Sequence, residues 1–426
     1  MPKFRIFVTA LLACALAAAA ADASPKAKKR PPRTTNILAQ HIDLAIGLDA
    51  QTKGLVSQRQ AAAARHATVG SLTPGSPYLA GSARRNSRGG FQNLSDPTEP
   101  NINRMREAEL EVGMPLWLPG QRSALRDTVT SSVNEFSQRL DLRRLEVAGR
   151  IRDAWWNVQR TAREAAIARE RLATAKEIEQ DIGRQTQLGD TAPPDALLAR
   201  NETLAAQTET IQAEAAAEAA RLSYRTIVGA DPPAGALEGV ALSGDISSHP
   251  AIRVASAALE RAEAQARLVR ATFIENPEVG LFGRRETSSQ GFTRADSTTV
   301  GFRFRMPLPT AGRNEPRAAE ATAEVIRTQA ELTQLNRIVA AEVAIALKAA
   351  VAARKAESSA GARLTVANQQ YDIALKSIRL GEISAVDLFR VRQLRLDAQR
   401  SYAAAQVESG LALSRLNQAR GYAPGL

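Results

Sequence analysis

The residues with the most suggestive spacing are acidic and sit beside two Leu-Gly corners. Leu188, Gly189 and Asp190 are followed by Asp195, and Leu380, Gly381 and Glu382 are followed by Asp387 and Arg390. Glycine after a helix is ordinary C-terminal capping, and Ser384-Ala385-Val386-Asp387 reads as a capping box that starts the next helix. Other chemistry is hard to find. Three histidines, His41, His66 and His249, stand far from one another and from the single cysteine, whereas a metal site needs clustered ligands. They read as surface or cap positions. No nucleophile motif, glycine-rich phosphate loop or histidine-based acid/base pair is present, and the many carboxylates fall on helical faces where solvated charge is the default. The pattern excludes an enzyme and leaves no catalytic, cofactor or metal residues to name.

The net charge of +12 and pI near 10.3 invite a nucleic-acid reading. The charge, however, is interleaved with Glu and Asp along helical stretches, and only Pro25 to Arg33 is a basic run, so nucleic acid is excluded as a partner. Lys3 and Arg5, an apolar run from Ile6 to Ala20 and the small residues Ala21-Asp22-Ala23 form an export signal over 1–23. A basic disordered leader follows over 24–35. Nothing later approaches the ~20 apolar residues of a membrane helix. Cys14 lies inside the signal, so no disulfide can form within one chain. Leu11-Leu12-Ala13-Cys14 loosely resembles a lipobox, which would make Cys14 a possible lipidation site; bulky Leu12 and the apolar run beyond the cysteine argue against it.

The chain is a duplication. Met114-Pro115-Leu116 and Met306-Pro307-Leu308 stand 192 positions apart, as do Leu188-Gly189-Asp190 and Leu380-Gly381-Glu382, and Gly229 and Gly421. One repeat covers 36–247 and the other 248–426.

Each repeat needs the same elements to position its corners. Residues 122–187 carry no proline and only Gly149 and Gly183 in an Ala, Arg, Glu and Leu-rich run, which predicts one continuous helix. At ~1.5 Å per residue it would span ~100 Å. The second copy covers 313–379, with Pro316 in its opening turn, where proline is tolerated. Returning helices follow over 193–228 and 384–421, and leading helices are expected over 36–67 and 249–272. Helices this long must pack side by side as coiled coils. Strands are predicted over 75–84, 106–116, 277–285 and 299–308 from alternation such as Val300, Phe302, Phe304 and Met306 against Gly301, Arg303 and Arg305. The period of two sends Phe302 and Phe304 to lipid and Arg303 and Arg305 to a lumen. Polar loops are expected over 86–104 and 286–297. The corners Met114-Pro115 and Met306-Pro307 end ladder pairing and bend strand into helix. Four strands cannot close a barrel, for which ~8 are the practical minimum, so several chains would have to share one.

Two repeats, each a β-hairpin joined by proline corners to very long helices that turn at a Leu-Gly tip, resemble the TolC family of outer-membrane channel proteins over nearly the whole mature chain. Pro307-Leu308-Pro309 followed by Arg313-Asn314 is similar to the corner of its cobalt, zinc and cadmium resistance type. The resemblance implies a mixed, mainly α fold: four strands per chain in a 12-stranded barrel and a 12-helix α-barrel, built by a homotrimer. It further implies an outer-membrane, Gram-negative location reaching into the periplasm, and tips that dock a periplasmic adaptor serving an inner-membrane pump of RND type. Asp387 falls where similar members place an aspartate that narrows the periplasmic aperture. Arg390 stands where a second aspartate is expected, so the aperture would be a mixed ring of Asp387, Arg390 and Asp195.

The expected function is thus the exit duct of a tripartite efflux system for metal cations or small toxic compounds. The exit duct of a type I protein secretion system is the alternative within the same fold. An exported coiled-coil protein without a pore is a third reading, which leaves the paired strands without a purpose.

Overall fold

The computed structural model describes residues 37–424 except 90–101, 190–191, 236, 240–245, 291–292, 381 and 384. Three short helices, α1 (Ile37–Leu48), α2 (Ala50–Ala64) and α3 (His66–Gly70), precede the strands β1 (Tyr78–Gly89) and β2 (Ile102–Pro115). Then come α4 (Gln121–Leu188) and α5 (Pro193–Val228). The second half runs through α6 (Pro250–Ala271), β3 (Glu278–Gln290), β4 (Thr293–Arg305), α7 (Ala311–Arg379) and α8 (Ala385–Ala419). The strands form one antiparallel sheet in the order β1-β2-β3-β4.

The single leading helix expected over 36–67 is three helices. The first break is made by Asp49, whose carboxylate accepts from the backbone N–H of Thr52 at 2.9 Å and so caps α2. Arg143 of α4 fixes the same carboxylate with a fork of 2.9 and 2.8 Å, and Arg150 adds a third contact at 3.2 Å. These arginine bonds hold the Asp49 carboxyl well below the usual carboxylate range. The strands also depart from expectation. β1 begins at Tyr78 instead of Gly75, and pairing continues to Gly89 and Gln290 and resumes at Ile102 and Thr293. Pairing thus covers 86–89, 102–104, 286–290 and 293–297, where the sequence predicts loops. Ladder bonds come from the backbone, so polar ends such as Thr287 and Ser288 pair as well as apolar ones. At the other end, β4 stops at Arg305, leaving Met306 and Pro307 beyond the ladder.

The helices lie in two tiers. Toward the sheet, α2, α4, α6 and α7 pack side by side, joined by α2·α4, α4·α6 and α6·α7 contacts; toward the tips the row is α5, α4, α8, α7. Only α4 and α7 run through both tiers, which is why they must be twice as long as their neighbours. In α4 the buried residues Ala148, Ile151, Trp155, Val158, Thr161, Ala165, Ala168, Ala175 and Ile182 recur mostly in steps of three, four or seven. α5 answers with Ala199, Thr203, Ala206 and Thr210, a narrow coiled-coil seam whose small residues let the backbones approach.

The main core gathers Leu38, Ile42 and Ala45 of α1, Leu145, Ala148, Ile151 and Trp155 of α4, and Tyr224 and Val228 of α5. His41 sits inside it, its Nδ1 2.6 Å from the Tyr224 hydroxyl, so it is a core residue and not the surface or cap position expected. Burial pushes its pKa down and that of Tyr224 up, which keeps both neutral. His249 does cap a helix, accepting from the N–H of Ala251 at 3.2 Å.

Candidate functional site

The sheet sorts its side chains by face. Cross-strand rows bring together Leu79, Val112, Leu281 and Phe302; then Leu110 and Val300; then Met114, Val279 and Phe304. Most of these side chains are open: Leu79 is 67% exposed, Phe302 64% and Val300 79%. A contiguous exposed apolar surface of this kind marks contact with a partner or with lipid. No helix among the described residues is long and apolar enough to cross a membrane.

The opposite face is ionic. Arg284 donates from Nε and Nη2 to Glu109 at 3.0 and 2.7 Å and reaches Glu107 at 2.9 Å. Arg303 donates to Glu109 at 2.6 Å and to Glu111, and Arg305 lies 3.7 Å from Glu278. Phe282 lies beneath the guanidiniums of Arg303 and Arg284, 5.0 and 5.9 Å from its ring centre, close enough for cation–π attraction. Sequence reasoning placed Arg303 and Arg305 on this face but missed the acids that meet them. The signal was the 192-residue offset itself, because Glu111 and Arg303 stand 192 positions apart and pair with each other. Glycines make room for the rings. A Cβ on Gly113 would stand 2.4 Å from the Tyr78 ring, and one on Gly301 2.5 Å from the Phe282 ring.

Past Met114 and Pro115 the chain passes from β2 toward α4. Pro115 is the last residue of β2, and the Leu116 N–H then donates to the Pro277 carbonyl at 2.7 Å. Asn276 donates to the Leu116 carbonyl at 2.8 Å and bonds Gln121, the first residue of α4. On the second side, beyond Met306 and Pro307, Arg313 pairs with Glu275 at 2.5 Å and Asn314 donates to the Phe273 carbonyl at 2.5 Å. Both residues brace the start of α7 against the end of α6.

At the tips, Gly189 has φ +85° and its N–H closes the last turn of α4 on the Thr186 carbonyl at 3.2 Å. Open space surrounds it, so a side chain there would meet no atom, and only the left-handed backbone would resist it. Leu188 and Leu380 are 77% and 73% exposed, a large apolar outlay for two turn residues. Glu382 donates its N–H to the Ser377 carbonyl at 2.9 Å. Asp190, Gly381 and Ser384 lie outside the described residues, as do Cys14 and the leader. Asp195 and Asp387 occupy the first turns of α5 and α8, where a carboxylate also favours the positive helix end. Asp387 and Arg390, three positions apart, are both exposed, and Asp195 is half-buried. A largely half-buried polar knot missed by the sequence reading joins α4, α5 and α8. Arg171 of α4 pairs with Glu202 and Glu209 of α5 at 2.7 and 2.5 Å, while Arg392 of α8 donates to the Arg171 carbonyl at 3.2 Å. Desolvation lowers the Arg392 pKa.

The Trp155-Trp156 pair is structural: the rings meet edge to face at 4.6 Å, and Trp156 donates to Ser414 at 2.9 Å. Among the described residues no group of three His, Cys, Asp or Glu could hold a metal ion.

Comparison with known proteins identifies this architecture. Residues 243–422 match the model of the outer membrane efflux protein family. No curated protein matches the sequence. The fold is similar to the CmeC outer membrane channel of Campylobacter jejuni, with 18% identity, 90% of this chain and 85% of that one covered, and a TM-score of 0.67. It is similar to the outer membrane protein VceC of Vibrio cholerae, with 17% identity, 90% and 96% covered, and a TM-score of 0.66. The open state of the Neisseria gonorrhoeae MtrE outer membrane channel aligns at 19% identity, 91% and 89% covered, and a TM-score of 0.67. The fold is the one these outer-membrane channels share.

Proposed function

We propose that the chain is one protomer of a trimeric outer-membrane exit duct, a passive conduit that spans the outer membrane with its sheet and the periplasm with its helices. The observation that carries this reading is a four-stranded sheet with an exposed apolar face, an ionic opposite face and a row order, β1-β2-β3-β4, that leaves β1 and β4 at open edges. Unpaired edges are untenable in lipid. Three copies joined edge to edge would close twelve strands, and the four-helix rows of each tier would close twelve helices. The lumen would then be lined by the Glu109, Glu111, Arg284 and Arg303 network. The purified mature protein is expected to be a trimer in detergent and to give discrete conductance in planar bilayers. A monodisperse monomer with native helix content, or a trimer without conductance, would overturn the reading.

The match to the efflux family over the second repeat supports export of small toxic compounds or metal cations, with a periplasmic adaptor and an RND-type inner-membrane pump as partners. The metal cargo rests on the likeness of the Pro307-Leu308-Pro309, Arg313-Asn314 corner alone. For the periplasmic aperture we assign Asp387, Arg390 and Asp195. Asp387→Asn is expected to change single-channel conductance or cation preference with the trimer intact; unchanged conductance leaves Asp387 as a helix cap.

The Leu188, Gly189, Asp190 and Leu380, Gly381, Glu382 corners serve in this reading as adaptor-docking tips. Gly189→Asn keeps a residue that tolerates a left-handed backbone and is expected to retain most efflux. Gly189→Trp adds bulk where the free chain has room, and should abolish efflux while trimer and insertion stay normal. Full efflux in the Trp variant would reduce the tips to caps.

A further inference from the structure

We infer that Arg85, Arg106 and Arg285 form a binding site for the phosphate groups of an anionic glycolipid in the outer leaflet. The inference rests on the sheet being part of a membrane barrel. Arg85 stands directly opposite Arg106 across β1 and β2, and Arg285 stands opposite Ala108, the next same-face position on β2. By the period of two all three share the face of Leu79, Val112 and Leu281, and all three are exposed. Directly opposed residues hold their Cβ atoms ~4.5–5.5 Å apart and diagonal ones ~7–8 Å, so three guanidiniums converge within reach of one phosphate-bearing headgroup.

The ionic face is built differently. There Arg84 stands opposite Glu107 and Arg284 reaches the same carboxylate at 2.9 Å, so positive meets negative even though Glu107 also faces Glu286. On the apolar face arginine stands opposite arginine, an arrangement that is unfavourable unless an anion lies between. None of the three forms an ion pair within the described residues. Asp296, the acid opposite Thr287 on this face, pairs with Arg294 at 3.4 Å and feels the charge of Arg285, but stands two strands from Arg106. The site keeps a net positive charge.

Its depth fits a headgroup. The apolar rows begin at Met114 beside the helix corner and reach Ala108 after ~20 Å of strand, close to the ~25 Å apolar band of outer-membrane barrels. Arg285 stands in the Ala108 row and Arg85 and Arg106 in the next, on the side of the 90–101 and 291–292 connections, away from the helices. That is the outer leaflet's polar boundary. Guanidinium forks match phosphate oxygens in geometry as well as charge.

The test is native mass spectrometry of the detergent-solubilised full chain with three probes: bis-phosphorylated lipid A, dephosphorylated lipid A and inorganic phosphate. The variant Arg85→Gln/Arg106→Gln/Arg285→Gln is expected to retain at least fivefold less phosphorylated lipid A than wild type. Arg84→Gln, on the ionic face, should retain the wild-type amount. Dephosphorylated lipid A should bind all three proteins equally weakly, and equimolar inorganic phosphate should not displace the lipid. Equal retention by the triple variant overturns the site. So does equal binding of dephosphorylated lipid, and displacement by inorganic phosphate would make it a free-anion site only. Bilayer conductance of the same preparations separates the two claims. A triple variant that conducts like wild type but still binds the lipid sinks only the site, whereas a wild type that never conducts sinks the barrel.

Discussion

Phe302→Arg is expected to weaken membrane assembly by about 2–4 kcal/mol, the cost of an arginine facing hydrocarbon near the bilayer centre of a β-barrel. Phe302 shares its row with Leu79, Val112 and Leu281, one row in from the Met114 corner and inside the apolar band. It is 64% exposed in the single chain, so no neighbouring protein atom can absorb the change. Ser297→Arg places the same side chain on the ionic face, opposite Glu286, and should assemble nearly as well as wild type. Urea titration of bilayer-folded protein, read by heat-modifiable gel mobility, measures both. Equal losses from the two variants would refute the assignment of faces.

Arg152→Met should cost about 3–5 kcal/mol of stability, the usual penalty for stranding one partner of a buried ion pair. Arg152 is 2% exposed at the middle of α4 and grips Glu238 with a two-pronged contact of 2.6 and 2.7 Å. It also donates to Gln418 at 2.5 Å and to the Tyr422 carbonyl at 2.9 Å. One side chain thereby ties the first long helix, the segment after α5 and the end of α8 together. Methionine fills much of the volume but leaves the Glu238 carboxylate, 4% exposed, without a counter-charge. The double variant Arg152→Met/Glu238→Met removes both charges and should recover a large part of the loss, because the desolvation penalty disappears with them. Denaturant unfolding in detergent gives the comparison. A single variant within 1 kcal/mol of wild type, or a double variant worse than the single, would show that the pair is not what holds this junction.

The two sites respond to different physics. In the sheet the deciding quantity is which solvent a side chain meets; at Arg152 it is whether a buried charge keeps its partner. Neither effect touches the tips, where Gly189 and Asp387 sit in exposed turns and substitutions should change docking or conductance with little effect on folding.

Local rules account for what was legible in the sequence. Proline-free, Ala-rich runs force α4 and α7 to be continuous, because helix propensity accumulates residue by residue. Alternation at Val300, Phe302 and Phe304 assigns faces, because the strand period is two whatever the partner. Internal matches at one offset of 192 residues are visible in the sequence without any structure. Tertiary packing decided the rest. The leading segment had the composition of one helix, but Arg143 reaches Asp49 from α4 and fixes a break there. Strand ends rich in Arg, Ser and Thr carry no hydrophobic signal, yet a neighbouring ladder extends them. Arg152 is one arginine among many on an arginine-rich helix, and nothing nearby in sequence marks it as buried; its partners lie 86 and 266 residues away. The pairing of Glu111 with Arg303 likewise exists only because the sheet order sets β2 against β3 and β3 against β4. Charge on a strand is readable from sequence, but the charge it meets is set by topology, since opposite signs can neutralise one another only once the fold has brought them within a few ångströms.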